Sequence, residues 1–203
     1  MKLIAGLGNP GQQYDNTRHN VGWHALDEVA RLTGIRIYVN RNGGLTGTGF
    51  YKGEKLLLVK PLTYMNLSGE CIAPLSRYYK IPPEDVFVIC DDVYLPAGQL
   101  RIRRSGTDGG HNGLKNIIQM LGSKEFPRLR IGVGPQPEGV DLIDFVLRQI
   151  PGDLKKPLAD AETRAAQAAL LWAEQGPGPA MNLYNKKVIV QNSLSDRTDY
   201  CKH

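Results

Sequence analysis

Cysteine and histidine are both scarce in this chain, and their scarcity limits the chemistry available to it. Three cysteines and four histidines occur in 203 residues. Cys71, Cys90 and Cys201 are odd in number, widely spaced and without a CxxC pair, which argues against a disulfide framework or a structural zinc site. There is also no HExxH, GxSxG or P-loop sequence, so the zinc-protease, serine-hydrolase and P-loop sites that those motifs mark are excluded.

Long apolar runs are missing as well. No stretch approaches the roughly 20 apolar residues of a membrane span, and the apolar run at 3–5 is too short for a signal-peptide core. We therefore expect a cytoplasmic protein that makes no membrane contact. The net charge of +5 and the pI near 9.1 favour a polyanionic partner, although overall charge is a modest indication.

The order of apolar segments predicts the fold class. Strand-like runs lie at 3–5, 35–39, 48–51, 56–59, 86–90, 100–104 and 129–133, and helical patterns at 21–32, 71–79, 114–121, 142–148 and 157–175. This alternation predicts an α/β protein: a single three-layer domain with a mixed, mostly parallel twisted sheet flanked by helices. We expect the domain to span 1–185, and 186–203 to be a weakly structured tail in which 188–190 could add a strand.

The first predicted strand runs into a glycine-rich turn, GLGNPG at 6–11. The spacing matches the GxGxxG fingerprint of dinucleotide-binding proteins, which also needs a helix opening on the glycines and a second strand ending in an acid. Here a proline precedes the third glycine, 12–16 lacks helical periodicity, and the next predicted strand ends beside Asn40. The context therefore argues against a nicotinamide or flavin site.

Polar side chains collect near the ends of the predicted strands, where ligands bind in open α/β sheets. They are Asn9, Tyr14, His19, Asn66, Asp91, His111 and Asn112. Asp91 follows a buried apolar strand and needs a partner, because an unpaired buried charge is costly. A histidine partner would make the pair a general base, whereas the alternative is that Asp91 only caps a turn and His111 only bonds its own loop.

His19 is the best-placed candidate base. It lies near the N-terminus of the predicted helix at 21–32, where the helix dipole disfavours the charged imidazole, and a base must be neutral. Cys90 falls inside an apolar run, so we expect an inert core thiol. If the chain is a hydrolase, its nucleophile is then water.

Arginines cluster on two predicted strands. Arg101 and Arg103 alternate with apolar residues, so both can project from one face, and Arg128 and Arg130 form a second group. The glycine-rich stretch 106–113 precedes a helix and could offer backbone N–H groups to an anion. Together these features suggest a phosphate site, although each arginine group alone could be a solvated strand face.

Several motifs in order resemble the bacterial-type peptidyl-tRNA hydrolases. They are GLGNPG with Tyr14, TRHNVG, KPLTYMNLSG, DD followed by LPAG, GGHNGLKNI and RLRIGVG, and they cover residues 1 to about 185. The resemblance implies hydrolysis of the ester that links a peptide to the terminal ribose of tRNA. It also implies a monomer without metal or cofactor. Two residues depart from the family pattern: Cys90, where many members have histidine, and Tyr94, where a second acid is common.

The resemblance further implies a role for each matched residue. His19 activates water, Asp91 orients His19, and Asn9 and Asn66 position substrate and water. The implied substrate contacts are Tyr14, Met65, Asn66, His111 and Asn112, and the implied tRNA phosphate contacts are Arg101, Arg103 and Arg130. A non-catalytic RNA-binding protein is the main alternative, and a dinucleotide-dependent oxidoreductase is the other.

Overall fold

In a computed structural model, which describes residues 1–186, seven strands pair into one sheet. The strands are β1 (Lys2–Gly6), β2 (Val39–Arg41), β3 (Gly44–Tyr51), β4 (Glu54–Pro61), β5 (Val86–Pro96), β6 (Leu100–Arg103) and β7 (Arg128–Gly134). Their order across the sheet is β2-β3-β4-β1-β5-β7-β6. β1 pairs in parallel with β4 and β5, and β5 with β7, whereas the remaining pairings are antiparallel. The sheet is therefore mixed, with β3 and β6 opposed to the other five strands.

Helices cover both faces of this sheet. They are α1 (Val21–Thr33), α2 (Ser68–Tyr78), α3 (Asn112–Leu121), α4 (Leu142–Leu147), α5 (Gly152–Gln175) and α6 (Pro177–Tyr184). One buried cluster joins α1 and α5 to one face, and a second joins α2 and α3 to the other. The predicted three-layer α/β architecture is thereby confirmed. No helix within residues 1–186 combines the length and apolar character that crossing a membrane requires.

The strand predicted at 35–39 is wrong in its position. Only Val39–Arg41 pairs in the sheet, while Ile35 packs over β3. A Cβ on Gly49 would lie 2.6 Å from the Ile35 side chain, and one on Gly47 would collide with the Arg36 carbonyl oxygen. The glycines of β3 thus let the segment lie on the sheet surface, and the apolar side chain at 35 reflects packing over the sheet and not pairing in it.

β5 is longer than its apolar run. The apolar pattern predicts an end at Cys90, but the strand continues through both aspartates to Pro96, with Asp91 opposite Ile131 and Asp92 opposite Gly132. The register then shifts between Asp92 and Pro96. Both aspartate side chains have partners, described below, so the strand can carry them inside the sheet and Asp91 is no turn cap.

The C-terminal helices also differ from expectation. α5 begins at Gly152, so Pro157 lies inside the helix and not in its first turn. α6 was not predicted, because its first turn contains two prolines and a glycine, yet proline is well tolerated where helical N–H groups have no partner. The predicted strand at 188–190 lies outside the described residues, and the boundary at 185 stays a prediction.

Candidate active site

Glycines at the end of β1 let α1 pack directly on the sheet. A Cβ on Gly6 would collide with the carbonyl oxygen of Gly22, and one on Gly8 would lie 2.7 Å from the Trp23 ring. Close backbone approach of this kind requires residues without a side chain. The first two glycines of the GxGxxG spacing therefore serve helix–strand packing, and this packing brings the turn after β1 beside the end of β5.

Asn20 fixes the position of Asn9 in that turn. The Asn20 Oδ1 accepts from the Asn9 backbone N–H at 2.9 Å, and its Nδ2 donates to the Asn9 carbonyl at 3.1 Å. The Asn9 Oδ1 accepts from the Met65 N–H at 2.7 Å. The Asn9 Nδ2 is left to face the cleft, since no hydrogen bond among residues 1–186 uses it. Sequence reasoning missed Asn20, because only the fold shows that its side chain returns to the turn.

His19 and Asp91 form a direct pair. The Nδ1 atom of His19, on a short 3₁₀ turn before α1, lies 2.8 Å from Asp91 Oδ1, and the two side chains are 13% and 2% exposed. Because a carboxylate only accepts, Nδ1 carries the proton. In the neutral ring Nε2 then has a free lone pair, and no described residue bonds to that atom. This is the arrangement of a histidine base oriented by an aspartate.

His111 directs a second imidazole at the same carboxylate oxygen. Its Nε2 lies 3.0 Å from Asp91 Oδ1, while its Nδ1 accepts from the backbone N–H groups of Gly113 and Leu114 at 3.1 and 3.3 Å. A nitrogen that accepts cannot carry a proton, so this geometry requires the neutral tautomer with hydrogen on Nε2. His111 therefore caps α3 and donates to Asp91, which goes beyond the loop bond that the sequence left open.

The two imidazoles keep Asp91 ionised. Burial would raise the pKa of the Asp91 carboxyl, but the two adjacent imidazoles of His19 and His111 and the hydrogen bonds they donate hold it well below its usual range. Within residues 1–186, His19, Asp91 and His111 form a cluster whose potential metal-binding atoms all lie within 4.8 Å of one another. Both nitrogens point at one oxygen, so a metal ion would have to displace two hydrogen bonds, and the geometry favours a hydrogen-bonded triad.

The triad opens into a cleft of about 360 Å³. The structure brings together in its walls every residue that the sequence assigned to catalysis or to the peptide, together with one arginine: Asn9, Tyr14, His19, Met65, Asn66, Asp91, His111, Asn112 and Arg130. Asn66 and Asn112 are exposed and offer amide groups, Asn66 from the 3₁₀ turn just before α2 and Asn112 from the first turn of α3. Arg101 and Arg103 lie outside this cleft.

An apolar wall of the cleft was not predicted. α4 contributes Leu142, Ile143, Val146 and Leu147 to the cleft lining. Arg18 anchors this helix, because its guanidinium lies 4.4 Å from the centre of the Phe145 ring and its Nη1 donates to the Phe145 and Gln149 carbonyls at 3.4 Å. The neighbour of the candidate base thus positions the wall, a role that an isolated arginine in the sequence does not reveal.

The arginines of β6 and β7 differ in environment. Arg101 and Arg103 point away from the core and alternate with the buried Leu100 and Ile102, as the sequence pattern predicts. Arg130 lies opposite Arg101 in the sheet, and its guanidinium bonds Asp92 at 3.2 Å and the Asp108 carbonyl at 2.8 Å. Arg130 therefore links β5 to the glycine-rich loop at the cleft edge.

Arg128 has a structural role. It is 1% exposed and donates to the carbonyls of residues 106, 107, 124 and 126. Burial lowers the pKa of its guanidinium to about 10. The expectation that the loop at 106–113 offers helix N–H groups to an anion is wrong for Gly113 and Leu114, because His111 already accepts from both.

The two departures from the family pattern do not alter the triad. Cys90 is fully buried, and burial raises its thiol pKa to about 12, so the predicted inert core thiol is confirmed. Tyr94 is 74% exposed at the cleft edge. Cys71 is also a buried free thiol.

An α/β fold that places an Asp-paired histidine and several amide side chains at its strand ends has the site of a general-base hydrolase. Residues 3–192 match the family model described as peptidyl-tRNA hydrolase. The peptidyl-tRNA hydrolase of Bacillus subtilis strain 168 is 47% identical over 188 residues, which is 93% of this chain and all of that protein.

Further relatives agree with that match. The peptidyl-tRNA hydrolase of Brevibacillus brevis is 44% identical over 185 residues, covering 91% of this chain and 98% of the relative. The crystal structure of peptidyl-tRNA hydrolase from Acinetobacter baumannii superposes with a TM-score of 0.86 at 34% identity, covering 91% of this chain and 94% of that one. This chain belongs to the peptidyl-tRNA hydrolase family.

Proposed function

We propose that this chain hydrolyses the ester between the peptide and the tRNA of peptidyl-tRNA and releases free tRNA for reuse in translation. The observation that carries the proposal is the His19–Asp91 pair, whose free Nε2 faces a cleft lined by Asn9, Asn66 and Asn112. Membership of the peptidyl-tRNA hydrolase family supports the choice of substrate. Pure RNA binding would need neither the paired base nor the converging amides.

In the proposed mechanism His19 is the general base. Its Nε2 takes a proton from water as the water oxygen attacks the ester carbonyl carbon, and Asp91 stabilises the imidazolium that forms. The bond from the carbonyl carbon to the ribose oxygen then breaks, and the proton passes from Nε2 to that oxygen. The Asn9 and Asn66 amides position water and carbonyl, where an N–H donor stabilises the developing oxyanion.

The peptide and the RNA use different parts of the surface in this proposal. The peptide contacts Tyr14, Met65 and the α4 wall, with Asn112 and the His111 loop at its end. Arg101 and Arg103 bind tRNA phosphates, because both project from β6 away from the core, where Arg101 lies opposite Arg130 of the cleft wall. Arg130 adds positive charge there while it holds Asp92.

We further propose that the chain acts as a monomer in the cytoplasm, on peptidyl-tRNA that has left translation. The direct test is to incubate the full chain with peptidyl-tRNA and measure the release of free tRNA. The proposal expects release by the native chain and its loss in His19→Ala. RNA binding without release by the native chain would contradict the proposal and favour the binding protein.

A further inference from the structure

Tyr94 lies on the ridge between the active-site cleft and a second groove. The groove holds about 800 Å³ and runs between the β5–β6 turn and the first half of α5. Among the described residues, Tyr94 is the one that lines both cavities. It is 74% exposed, so its ring contributes little to the core and is open to a ligand.

The backbone of Tyr94 is nevertheless held firmly. Its N–H donates to Asp92 Oδ1 at 2.8 Å, and the other oxygen of Asp92 bonds Arg130 at 3.2 Å. Asp92 directly follows Asp91 in β5, and Asp91 contacts the candidate base His19. A fixed backbone beneath an exposed aromatic ring places that ring at a defined point on the rim of the active-site cleft.

The groove beyond Tyr94 is cationic at its borders. Arg101 and Arg164 line it with one acid, Asp160. Arg103 projects from the same face of β6 as Arg101. An exposed aromatic ring that leads to a basic groove is the combination that binds single-stranded nucleic acid, through base stacking and phosphate contacts.

We propose that Tyr94 stacks an unpaired base of the tRNA 3′ end, and that the RNA backbone follows the groove toward Arg101. This inference rests on the proposed function, which places the terminal ribose ester at His19. A cleft of about 360 Å³ admits a single strand and not a duplex, so unpaired nucleotides must cross its rim. Tyr94 stands on that rim, and the groove gives the strand a path to the arginines.

The test compares Tyr94→Ala, Tyr94→Leu and Tyr94→Phe on two kinds of substrate. Each carries the same peptide on tRNA, either intact or with one abasic nucleotide among the unpaired positions before the terminal adenosine. Tyr38→Ala is the matched control, since Tyr38 is 71% exposed and adjoins β2 at the opposite edge of the sheet. Melting temperatures verify that each variant folds. Tyr94→Leu retains an apolar side chain and serves as the test variant if Tyr94→Ala does not fold.

On intact substrate we expect Ala and Leu to raise KM about tenfold, the low end of a lost base–aromatic stack. Phe and the Tyr38 control should match the native chain, and kcat should stay within about twofold because stacking is remote from proton transfer. With the abasic nucleotide at the stacked position, the native chain should show the higher KM and the Tyr94 substitutions should add nothing.

Two results would overturn the inference. An equal KM rise on intact and on every abasic substrate would mean that Tyr94 contacts the peptide, and an unchanged KM would mean that it contacts neither part. If the native chain releases no tRNA at all, the proposed function fails by itself. Stacking is then judged from the Kd for deacylated tRNA, where about a tenfold weakening in Tyr94→Leu supports it and an unchanged Kd contradicts it.

Discussion

His111 and Asp91 are joined by a hydrogen bond of 3.0 Å that only the Nε2–H tautomer of His111 can donate. That tautomer is fixed from the other side, where Nδ1 accepts two N–H groups at the start of α3. Asp91 consequently receives donors from two imidazoles, one of which is neutral and fixed. The orientation of the candidate base His19 thus depends, through Asp91, on a loop that follows Asp91 by twenty residues along the chain.

This relationship predicts the effect of His111→Asn. Asparagine is a good N-cap and keeps the helix start, but it is too short to reach Asp91. We expect kcat to fall about tenfold, the low end for a lost hydrogen bond to a charged group, with little change in melting temperature. His111→Ala, which loses the cap as well, should also melt lower. Native kcat in His111→Asn would mean that His111 only caps α3.

Replacing Arg101 and Arg103 together with alanine should act on RNA binding. We expect a higher KM, unchanged kcat, and a salt dependence of binding reduced by about one unit of logarithmic slope per lost phosphate contact. Kinetics at several salt concentrations measure this. The charge-matched control is Lys55→Ala with Lys80→Ala, two exposed residues in β4 and in the turn after α2 that line neither the cleft nor the second groove. A fall in kcat alone would assign the arginines to the chemical step.

His24 should make stability depend on pH. Burial would lower its pKa, but the Glu162 carboxylate at 2.9 Å and the Asp15 carbonyl at 2.7 Å raise it above the ordinary value. A raised folded pKa stabilises the protein fully below about pH 6.5, and this contribution is lost as pH rises through the folded pKa. Glu162→Gln should therefore cost about 1 kcal/mol at pH 6 and less at pH 9, with the partial exposure of the pair allowed for.

The matched control for this pair is Glu174→Gln. It removes an exposed ion pair with Lys52, whose pKa is raised by Glu174, so Lys52 keeps its charge between pH 6 and 9. Thermal unfolding at several pH values should show a pH-dependent difference from the native chain for Glu162→Gln and a constant one for Glu174→Gln. Equal pH dependence in both variants would remove the assigned role of His24.

Asn185 sets the limit for shortening the chain. Its Oδ1 accepts from the Ile102 N–H at 2.6 Å and its Nδ2 donates to the Ile102 carbonyl at 3.1 Å, so it pairs with the free edge of β6. We expect a chain ending at Asn185 to keep its melting temperature and peptidyl-tRNA cleavage. Asn185→Ala should lose about 1–2 kcal/mol of stability. A large loss of activity in the shortened chain would place function in residues 186–203.

Local patterns predicted the parts of the fold that depend on neighbouring residues. The apolar run at 86–90 and the alternation at 100–103 correctly indicated buried and half-buried strands. The extension of β5 through Asp91 was missed because it depends on pairing with β7, forty residues away. Ile35 was misplaced because its apolar character reflects packing over glycines and not sheet pairing.

In the candidate site, too, some features can be predicted from local sequence and others depend on the folded chain. His19 and Asp91 could be proposed as a pair from residue type and from their positions at strand ends. The roles of Asn20, Arg18 and His111 could not be proposed, because each depends on which backbone groups the folded chain brings within reach. Residue chemistry indicates candidates for catalysis, whereas positioning residues emerge only from geometry.

The central claim is that His19, oriented by Asp91, activates the water that cleaves the ester. The most direct measurement is single-turnover release of tRNA from peptidyl-tRNA by the native chain, His19→Ala and Asp91→Asn, with tRNA affinity measured in parallel. We expect a rate loss of about 10²–10⁴-fold for His19→Ala, a smaller but large loss for Asp91→Asn, and unchanged affinity in both. Cleavage by His19→Ala within a few-fold of the native rate would contradict the account.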